Sequence, residues 1–441
     1  MEIGKTYIFV LKPKRYLKGK VLSIALNYSF TLFIEGKTIG LTRDDILGYG
    51  EDESELLYNK GTPEQVALQK NPHKMEMILL HAIQKNNLPL AEYITDLCDL
   101  SFMYTYKQAK GTAIEIALDN RREDIVHLLI KKHAAFSQRD FLKMAIRKYP
   151  YPLEMFNVSK VKNMSQLFLQ YEFTEDDDIS QWDVSNVENM SYLFHASNFD
   201  GDIPQWDVSK VKNMSGMFSK CHFDGDISQW DVSKVENMSG MFSESMFYGD
   251  LSLWDVSKVK NMNGMFSESI FDGDLSLWDV SNVEYMSEMF FNSEFDGDLS
   301  LWDVSHVKNM SGMFSNSVFQ GDVSQWDVSE VKDMHEMFSH SIFQGDISQW
   351  NVSKVVFMNK MFLNSDFDGD LSLWDVSNVK DMREMFANSS FQHDISSWNS
   401  NGKKMENMFT NCNIPEYYKP TYRPEPGLRK GAGTRKVFQF R

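Results

Sequence analysis

The stretch that decides the fold is residues 206–218, WDVSKVKNMSGMF, because close copies of it recur through more than half of the chain. Each copy begins with a tryptophan, and successive tryptophans are 24 residues apart. Every tryptophan of the chain belongs to this series: Trp182, Trp206, Trp230, Trp254, Trp278, Trp302, Trp326, Trp350, Trp374 and Trp398. A constant period of this length predicts a solenoid, in which each coil packs only on its neighbours.

Two apolar patterns follow each other within one coil. Val211, Met214 and Phe218 are spaced like residues on one face of a short α-helix, and Ser209 lies where a helix N-cap is expected. Residues 206–208 alternate apolar and polar side chains, which predicts a short strand. The sequence therefore predicts an α/β solenoid.

Aspartate recurs at two places in the coil. The first lies four residues before each tryptophan, from Asp178 to Asp394, and follows a glycine that predicts a sharp corner, except that Asp177 and His393 replace this glycine at the two ends of the array. The second follows the tryptophan directly, except where Asn351 and Asn399 stand. These rows account for the net charge of −17, so the acidity need not describe a partner. Either a string of Ca²⁺ ions or backbone amides could compensate them. We expect the amides, because one aspartate per corner offers too few ligands, and we predict no metal and no cofactor.

The chain divides into four predicted segments. Residues 1–60 contain β-rich runs that predict a small antiparallel sheet or barrel. Residues 61–150 change to helical spacing, and residues 151–412 hold the coils. Residues 413–441 contain seven Lys or Arg against two Glu, which predicts a basic, flexible tail.

Several classes of protein are disfavoured by the sequence. No apolar run is long enough for a membrane span, and the N-terminus lacks the apolar run of a secretory signal. The three cysteines lie far apart, which favours a reducing, intracellular setting. The chain has no phosphate-binding loop, Cys-x-x-Cys pair or nucleophile elbow, so we expect no enzyme and predict no catalytic residue.

The repeated string Trp-Asp-Val-Ser-x-Val-x-x-Met-x-x-Met-Phe resembles the BspA-like repeat of bacterial surface proteins and lipoproteins. That family is grouped with the leucine-rich repeats, and similar arrays occur in large DNA viruses of amoebae. The resemblance implies a right-handed α/β solenoid, here of about ten 24-residue coils, that binds proteins without enzymatic activity. The chain lacks the signal peptide, lipidation cysteine and wall anchor of the bacterial members, so we expect it in a host cytoplasm or a virion rather than at a cell surface.

A second resemblance precedes the coils. Residues 111–118 (GTAIEIAL) and 123–130 (EDIVHLLI) resemble an ankyrin repeat, with Thr112 where that family caps its first helix. Residues 79–83 and 141–146 look like a diverged and a truncated copy. A plain helical bundle is the alternative.

Two variable places in the coil offer apolar side chains to a partner. One is the residue before the tryptophan, which is Gln in some coils and Leu in others; the second follows the Met-Phe run. The candidate partner-binding residues are Leu253, Leu277, Leu301, Leu373, Met246, Ile270, Val318 and Ile342. Partial cover by neighbouring coils is the alternative. Candidate anchors in the tail, which would meet an acidic surface or nucleic acid, are Arg423, Arg429, Lys430, Arg435, Lys436 and Arg441.

These features predict a non-enzymatic repeat scaffold that binds protein partners inside a cell or a virus. The alternative is a structural component of a virion or similar assembly, anchored by the basic tail.

Overall fold

The computed structural model forms two compact units. One comprises Met1–Asn163 with Thr174–Val187, and the other comprises Met164–Phe173 with Glu188–Arg441. The structure describes the backbone of residues 6–11, 15–24, 30–34, 37–41, 46–50 and 57–58, and then residues 74–106 and 109–420.

The first unit begins with an antiparallel sheet. Its strands are β1 (Thr6–Leu11), β2 (Arg15–Ile24), β3 (Phe30–Ile34), β4 (Lys37–Leu41), β5 (Ile46–Gly50) and β6 (Leu57–Tyr58). Their order across the sheet is β4-β3-β2-β1-β5-β6. The β-rich runs of the sequence therefore lie in neighbouring antiparallel strands.

Short helices follow the sheet. They are α1 (Lys74–Lys85), α2 (Leu88–Ile94), α3 (Ala113–Asp119), α4 (Glu123–Lys131) and α5 (Arg139–Lys148), with a hairpin of β7 (Tyr104–Tyr106) and β8 (Ala109–Gly111) between α2 and α3. Thr112 is the N-cap residue of α3, and its amide donates to Glu115 Oε2 at 2.9 Å. The buried Glu115 carboxylate also accepts the amides of Ser137 and Gln138, each at 2.6 Å, and so ties α3 to the segment that leads into α5. The helices are present where helical spacing occurs, and their membership of the ankyrin family stays a prediction.

Coils follow in the second unit, and we number each coil from 1 to 24 starting at its tryptophan. Amides at positions 9, 11, 13 and 15 donate to carbonyls at positions 8, 10, 12 and 14 of the next coil. In one coil these are the bonds from Met238 to Asn261 (2.9 Å) and from Gly240 to Asn263 (2.8 Å). Parallel bridges join position 8 of successive coils from Asn189 to Asp381, and Asp381 is bridged to Lys404 at position 7 of the last coil. The chain is thus a repeat solenoid whose coils are joined by backbone hydrogen bonds.

The predicted short helix in each coil is wrong. Between residues 156 and 415, all of which are described, the chain forms turns and isolated bridges without an α-helix. In the coil of Trp254, the amide of Met265 donates to Met262 O (3.2 Å), and Ser269 donates to Phe266 O (3.3 Å). The third residue of each turn has a positive φ, 59° at Gly264 and 55° at Glu268, as type II turns require. The coils are therefore not α/β units.

The predicted strand at positions 1–3 is also absent, although its two apolar side chains are buried. Trp206 and Val208 lie in the interior, but the backbone there forms no strand. Ser209 is not a helix cap, because no helix follows it; its amide donates to Asp207 Oδ1 at 3.1 Å. A short side chain that accepts the amide two residues ahead forms a local turn in place of a regular element.

Aromatic side chains stack along the interior. The rings of Phe242, Phe266 and Phe290 lie one coil apart, with centroids 5.8 and 5.9 Å from each other. Within one coil, Phe266 packs on Phe271 at 4.4 Å. Tryptophan, valine, methionine and phenylalanine at the repeated apolar positions are buried as the pattern predicts, except in the last coil, where Met405 and Phe409 are only partly buried. This continuous core stabilises each coil only through its neighbours.

Glycine is favoured before the position-21 aspartate by a close contact, although His393 shows that a larger residue is tolerated near the end of the array. A methyl group at Gly297 would lie 2.7 Å from Cζ of Phe295, the buried phenylalanine two residues earlier. Its φ is not in the left-handed region, so the sharp corner predicted from the sequence is not the reason for this glycine. The ring of Phe295 occupies the space that a side chain at position 297 would need.

The last coil is closed by its own polar groups and by the chain that follows. Lys403 Nζ donates to the carbonyls of Val376, Ser377 and Val379 at 2.8, 2.9 and 2.6 Å. Ile414 is buried, and the carbonyl of Tyr418 accepts the amide of Ile395 at 3.0 Å. Residues 413–419, which we predicted as the start of a flexible tail, therefore pack against the final coil.

Candidate functional site

Leucine at position 24 forms an exposed row. Leu253, Leu277 and Leu301 occupy this position in three consecutive coils, and Leu373 occupies it three coils further on. All four side chains are between 70 and 76% exposed. The residues on either side of position 24 in the chain are buried or partly covered, so each leucine projects from the surface of its coil. The first three leucines lie on adjacent coils. Leu373 is separated from them by two coils that carry Gln325 and Gln349 at the same position. We call Leu253, Leu277 and Leu301 the leucine row.

The second candidate set lies at position 17 and is divided. Met246, Val318 and Ile342 are 41–52% exposed, whereas Ile270 is less exposed and partly buried. Glu294 stands between the two pairs, so no continuous apolar row forms. Buried side chains at positions 18 and 22 separate this set from the leucine row. The eight candidates therefore do not form one surface.

Carboxylates flank the leucine row on both sides. Asp250, Asp274 and Asp298 lie at position 21, three residues before each leucine, and an aspartate at position 2 follows each leucine two residues later. The amides of Ser252, Ser276 and Ser300 donate to the position-21 carboxylates at 2.8–2.9 Å. These backbone hydrogen bonds lower the pKa of the three carboxyl groups, so the row stays ionised at neutral pH. Both aspartate rows accept amides of their own turn, as expected from the sequence, except at Asp202, where Pro204 has no amide hydrogen to donate.

Rows of lysine and glutamate at positions 5 and 7 are a feature that our sequence reasoning missed. Lys260 pairs with Glu236 at 3.4 Å, and Lys308 pairs with Glu284, each one coil apart. These pairs and Lys258 line a cavity of about 350 Å³. The alternation of Glu and Lys at 24-residue spacing was visible in the sequence and predicts such pairs. Exposed ion pairs of this kind contribute little to the stability of the fold. On this polar surface the positive and negative charges largely balance each other.

Within residues 74–106 and 109–420, no group of three or more His, Cys, Asp or Glu side chains is placed to hold a metal ion. The helices in this part of the chain are all too short or too polar to cross a membrane. The candidate tail anchors Arg423, Arg429, Lys430, Arg435, Lys436 and Arg441 lie outside the described residues.

The ladder of backbone bonds and the stacked core define a tandem-repeat solenoid protein. Three stretches, residues 135–246, 218–321 and 316–417, match the family model described as "Mycoplasma protein of unknown function, DUF285". Since these matches cover more than half of the chain, the protein belongs to this repeat family. The match is consistent with the BspA-like resemblance. Comparisons with curated proteins and with solved structures gave no match.

Proposed function

We propose that this protein is a non-enzymatic scaffold that binds a protein partner through the exposed surface of its solenoid. The observation that carries the proposal is the leucine row, in which three large apolar side chains stand uncovered on consecutive coils. Exposed apolar residues that occur singly are normal, whereas a contiguous group favours an interface.

The fold does not require leucine at this position. Gln205, Gln229, Gln325 and Gln349 occupy position 24 in other coils of the same array. The aspartate at position 21 and the tryptophan after position 24 are the same in both kinds of coil, so the backbone accommodates either side chain. Burying a fully exposed leucine side chain contributes about 1.5–3 kcal/mol of favourable free energy. These leucines do not contribute it to folding, so it is available for binding a partner.

The test replaces each leucine with the residue that other coils use. The triple variant Leu253→Gln, Leu277→Gln, Leu301→Gln should melt like the parent protein, because its side chains are exposed. Partners captured by the tagged full chain and quantified by mass spectrometry should be lost with this variant. The matched control is the triple variant Lys210→Gln, Lys234→Gln, Lys258→Gln at position 5, which should retain them. Equal capture by all three proteins would refute the proposal.

The scaffold proposal extends to the first unit and to location. The helices α3 and α4, joined by a tight turn and preceded by the Thr112 cap, support an ankyrin-like segment that adds a second interaction surface. We propose an intracellular or viral setting on the sequence arguments given above. The second candidate function, a structural component of a virion or similar assembly, is supported by the six basic residues among 421–441. Stoichiometric copies of the protein in purified particles would favour this alternative over a free scaffold.

A further inference from the structure

We propose that the leucine row is a docking surface for the chain's own residues 421–441. This inference rests on the proposed function in one respect, because it names an occupant for the surface through which the scaffold is proposed to bind. It adds that the occupant competes with partners from within the same chain.

The charges around the leucine row restrict what can cover it. Six carboxylates surround the three leucines: Asp250, Asp255, Asp274, Asp279, Asp298 and Asp303. An occupant must therefore combine apolar side chains with cationic ones. A second copy of this surface would place the same carboxylates against each other, which is unfavourable for like charges.

The described chain ends on this side of the coils. The carbonyl of Tyr418 accepts the amide of Ile395, which is at position 22 of its coil. Tyr418 also lines a cavity with Asp370, Asp394 and Ser397, which lie at positions 21 and 24. Residue 420 is two residues further on, so the segment that follows starts beside the same positions that carry the leucine row.

The following segment has the required composition and reach. Residues 421–441 contain six Arg or Lys and one Glu, together with the apolar Leu428, Val437, Phe438 and Phe440. Ser397 and Leu253 occupy the same position six repeats apart. At the 5.8–5.9 Å between rings of successive coils, that separation is about 35 Å. Fully extended, residues 421–441 span about 70 Å, which is enough to reach all three leucines of the row.

Photo-crosslinking in the full chain tests the docking. A benzophenone amino acid introduced at Phe438 (Phe438→p-benzoylphenylalanine) should form crosslinks to peptides that contain Leu253, Leu277 or Leu301. Mixing isotope-labelled and unlabelled protein separates bonds within one chain from bonds between chains. The yield should fall about fivefold or more in the triple leucine-to-glutamine variant, and also between 0.05 and 1 M NaCl, because salt screens exposed charge pairs. The position-5 lysine variant should keep the parental yield.

Three results would overturn the inference. Crosslinks that map mainly to the position-5 and position-7 rows would place the segment elsewhere. Crosslinks between labelled and unlabelled chains would identify a second copy as the occupant. An unchanged yield in the leucine variant would show that the leucines do not hold the segment. None of these outcomes depends on partner capture, so the inference can fail while the scaffold proposal holds, and the reverse is also true.

Discussion

The indole Nε1 of Trp278 donates a hydrogen bond of 3.0 Å to the backbone carbonyl of Leu251, 27 residues earlier. The bond recurs along the array, as between Trp302 and Leu275 at 3.0 Å. The tryptophan is buried, so it both fills the interior and satisfies a carbonyl of a neighbouring coil. One side chain therefore couples apolar packing to the polar contacts between coils, which explains why this residue marks the period.

Replacing Trp278 should destabilise the solenoid strongly. Trp278→Ala should lower the free energy of unfolding by about 3–5 kcal/mol, because it leaves a cavity in a packed interior. Trp278→Phe should cost less, about 1–3 kcal/mol, since it retains most of the packing but removes the indole hydrogen bond to the Leu251 carbonyl, which still accepts the amide of Trp254 at 3.1 Å. Urea unfolding followed by circular dichroism measures both. Leu277→Ala is the control next to it in the chain and should unfold like the parent, because Leu277 is 76% exposed. A Trp278→Ala protein as stable as the parent would contradict the assigned core.

Gly297→Ala should also destabilise the protein, because the new methyl group would lie 2.7 Å from the Phe295 ring. The ring must move within a packed core, and overpacking of this kind typically costs about 1–3 kcal/mol. Gly312→Asn is the matched control. Gly312 has a φ of 61°, but Glu288 and Glu336 hold φ of 56° at the same position in other coils. Thermal melting should therefore separate the two variants, and a Gly297→Ala melt equal to that of Gly312→Asn would show that the ring contact is unimportant.

The period and the buried positions could be predicted because they depend on side-chain chemistry that repeats every 24 residues. The helix could not be predicted correctly from spacing alone. Residues three and four apart share a face in a helix, but they also share a side when turns follow each other every four residues. The distinguishing signal was Gly216, Gly240 and Gly264 at position 11, where φ near 60° interrupts any helix.

The candidate site was predictable only in part. The exchange of Gln and Leu at position 24 identified the leucine row, because a side chain that varies between polar and apolar is exposed in a repeat. The division of Met246 and Ile270 from Val318 and Ile342 by Glu294 was visible in the sequence. Their separation from the leucine row was not, because it depends on how the turns orient positions 17–24. The path of residues 413–419 depends on contacts with coils far away in the sequence, which no local pattern reveals.

The aspartate rows should act through hydrogen bonds to the backbone. Asp274 accepts the amide of Ser276 at 2.9 Å, so Asp274→Ala should lower the melting temperature more than Asp274→Asn, whose amide oxygen still accepts. Asp202 is the internal control, because Pro204 at the corresponding place has no amide hydrogen to donate. Asp202→Ala should therefore have the smaller effect. EGTA should leave the melting temperature of the parent unchanged, and a rise of several degrees with millimolar Ca²⁺ would instead support cation binding.

The same carboxylates make stability depend on acidic pH. Backbone hydrogen bonds lower the pKa of Asp274 from its ordinary value of 3.8, and those of its equivalents such as Asp298 and Asp322 in the same direction. A group with a lower pKa in the folded state stabilises the fold above its unfolded pKa, and this contribution disappears as the pH falls through the folded value. The melting temperature should thus be nearly constant above about pH 5 and fall below about pH 4. The decrease should be smaller in Asp274→Asn, and a parent protein whose melting temperature does not change down to about pH 3 would argue against this linkage.

Truncation at two places should distinguish the folded end of the chain from the segment that follows. Deleting residues 421–441 should lower the melting temperature only slightly, by the loss of the proposed docking on the leucine row, because the contacts of the last coil are intact. Deleting residues 413–441 also removes the buried Ile414 and the carbonyl that accepts the Ile395 amide, so it should lower the melting temperature. This differs from the sequence-based expectation of a tail that begins at residue 413 and is dispensable for folding.

The shorter deletion should alter attachment to an acidic partner or assembly, most clearly at low salt, where basic residues act over longer distances. Thermal melting and a salt series of binding measurements test both truncations. Equal melting of the two proteins would show that residues 413–419 do not close the last coil.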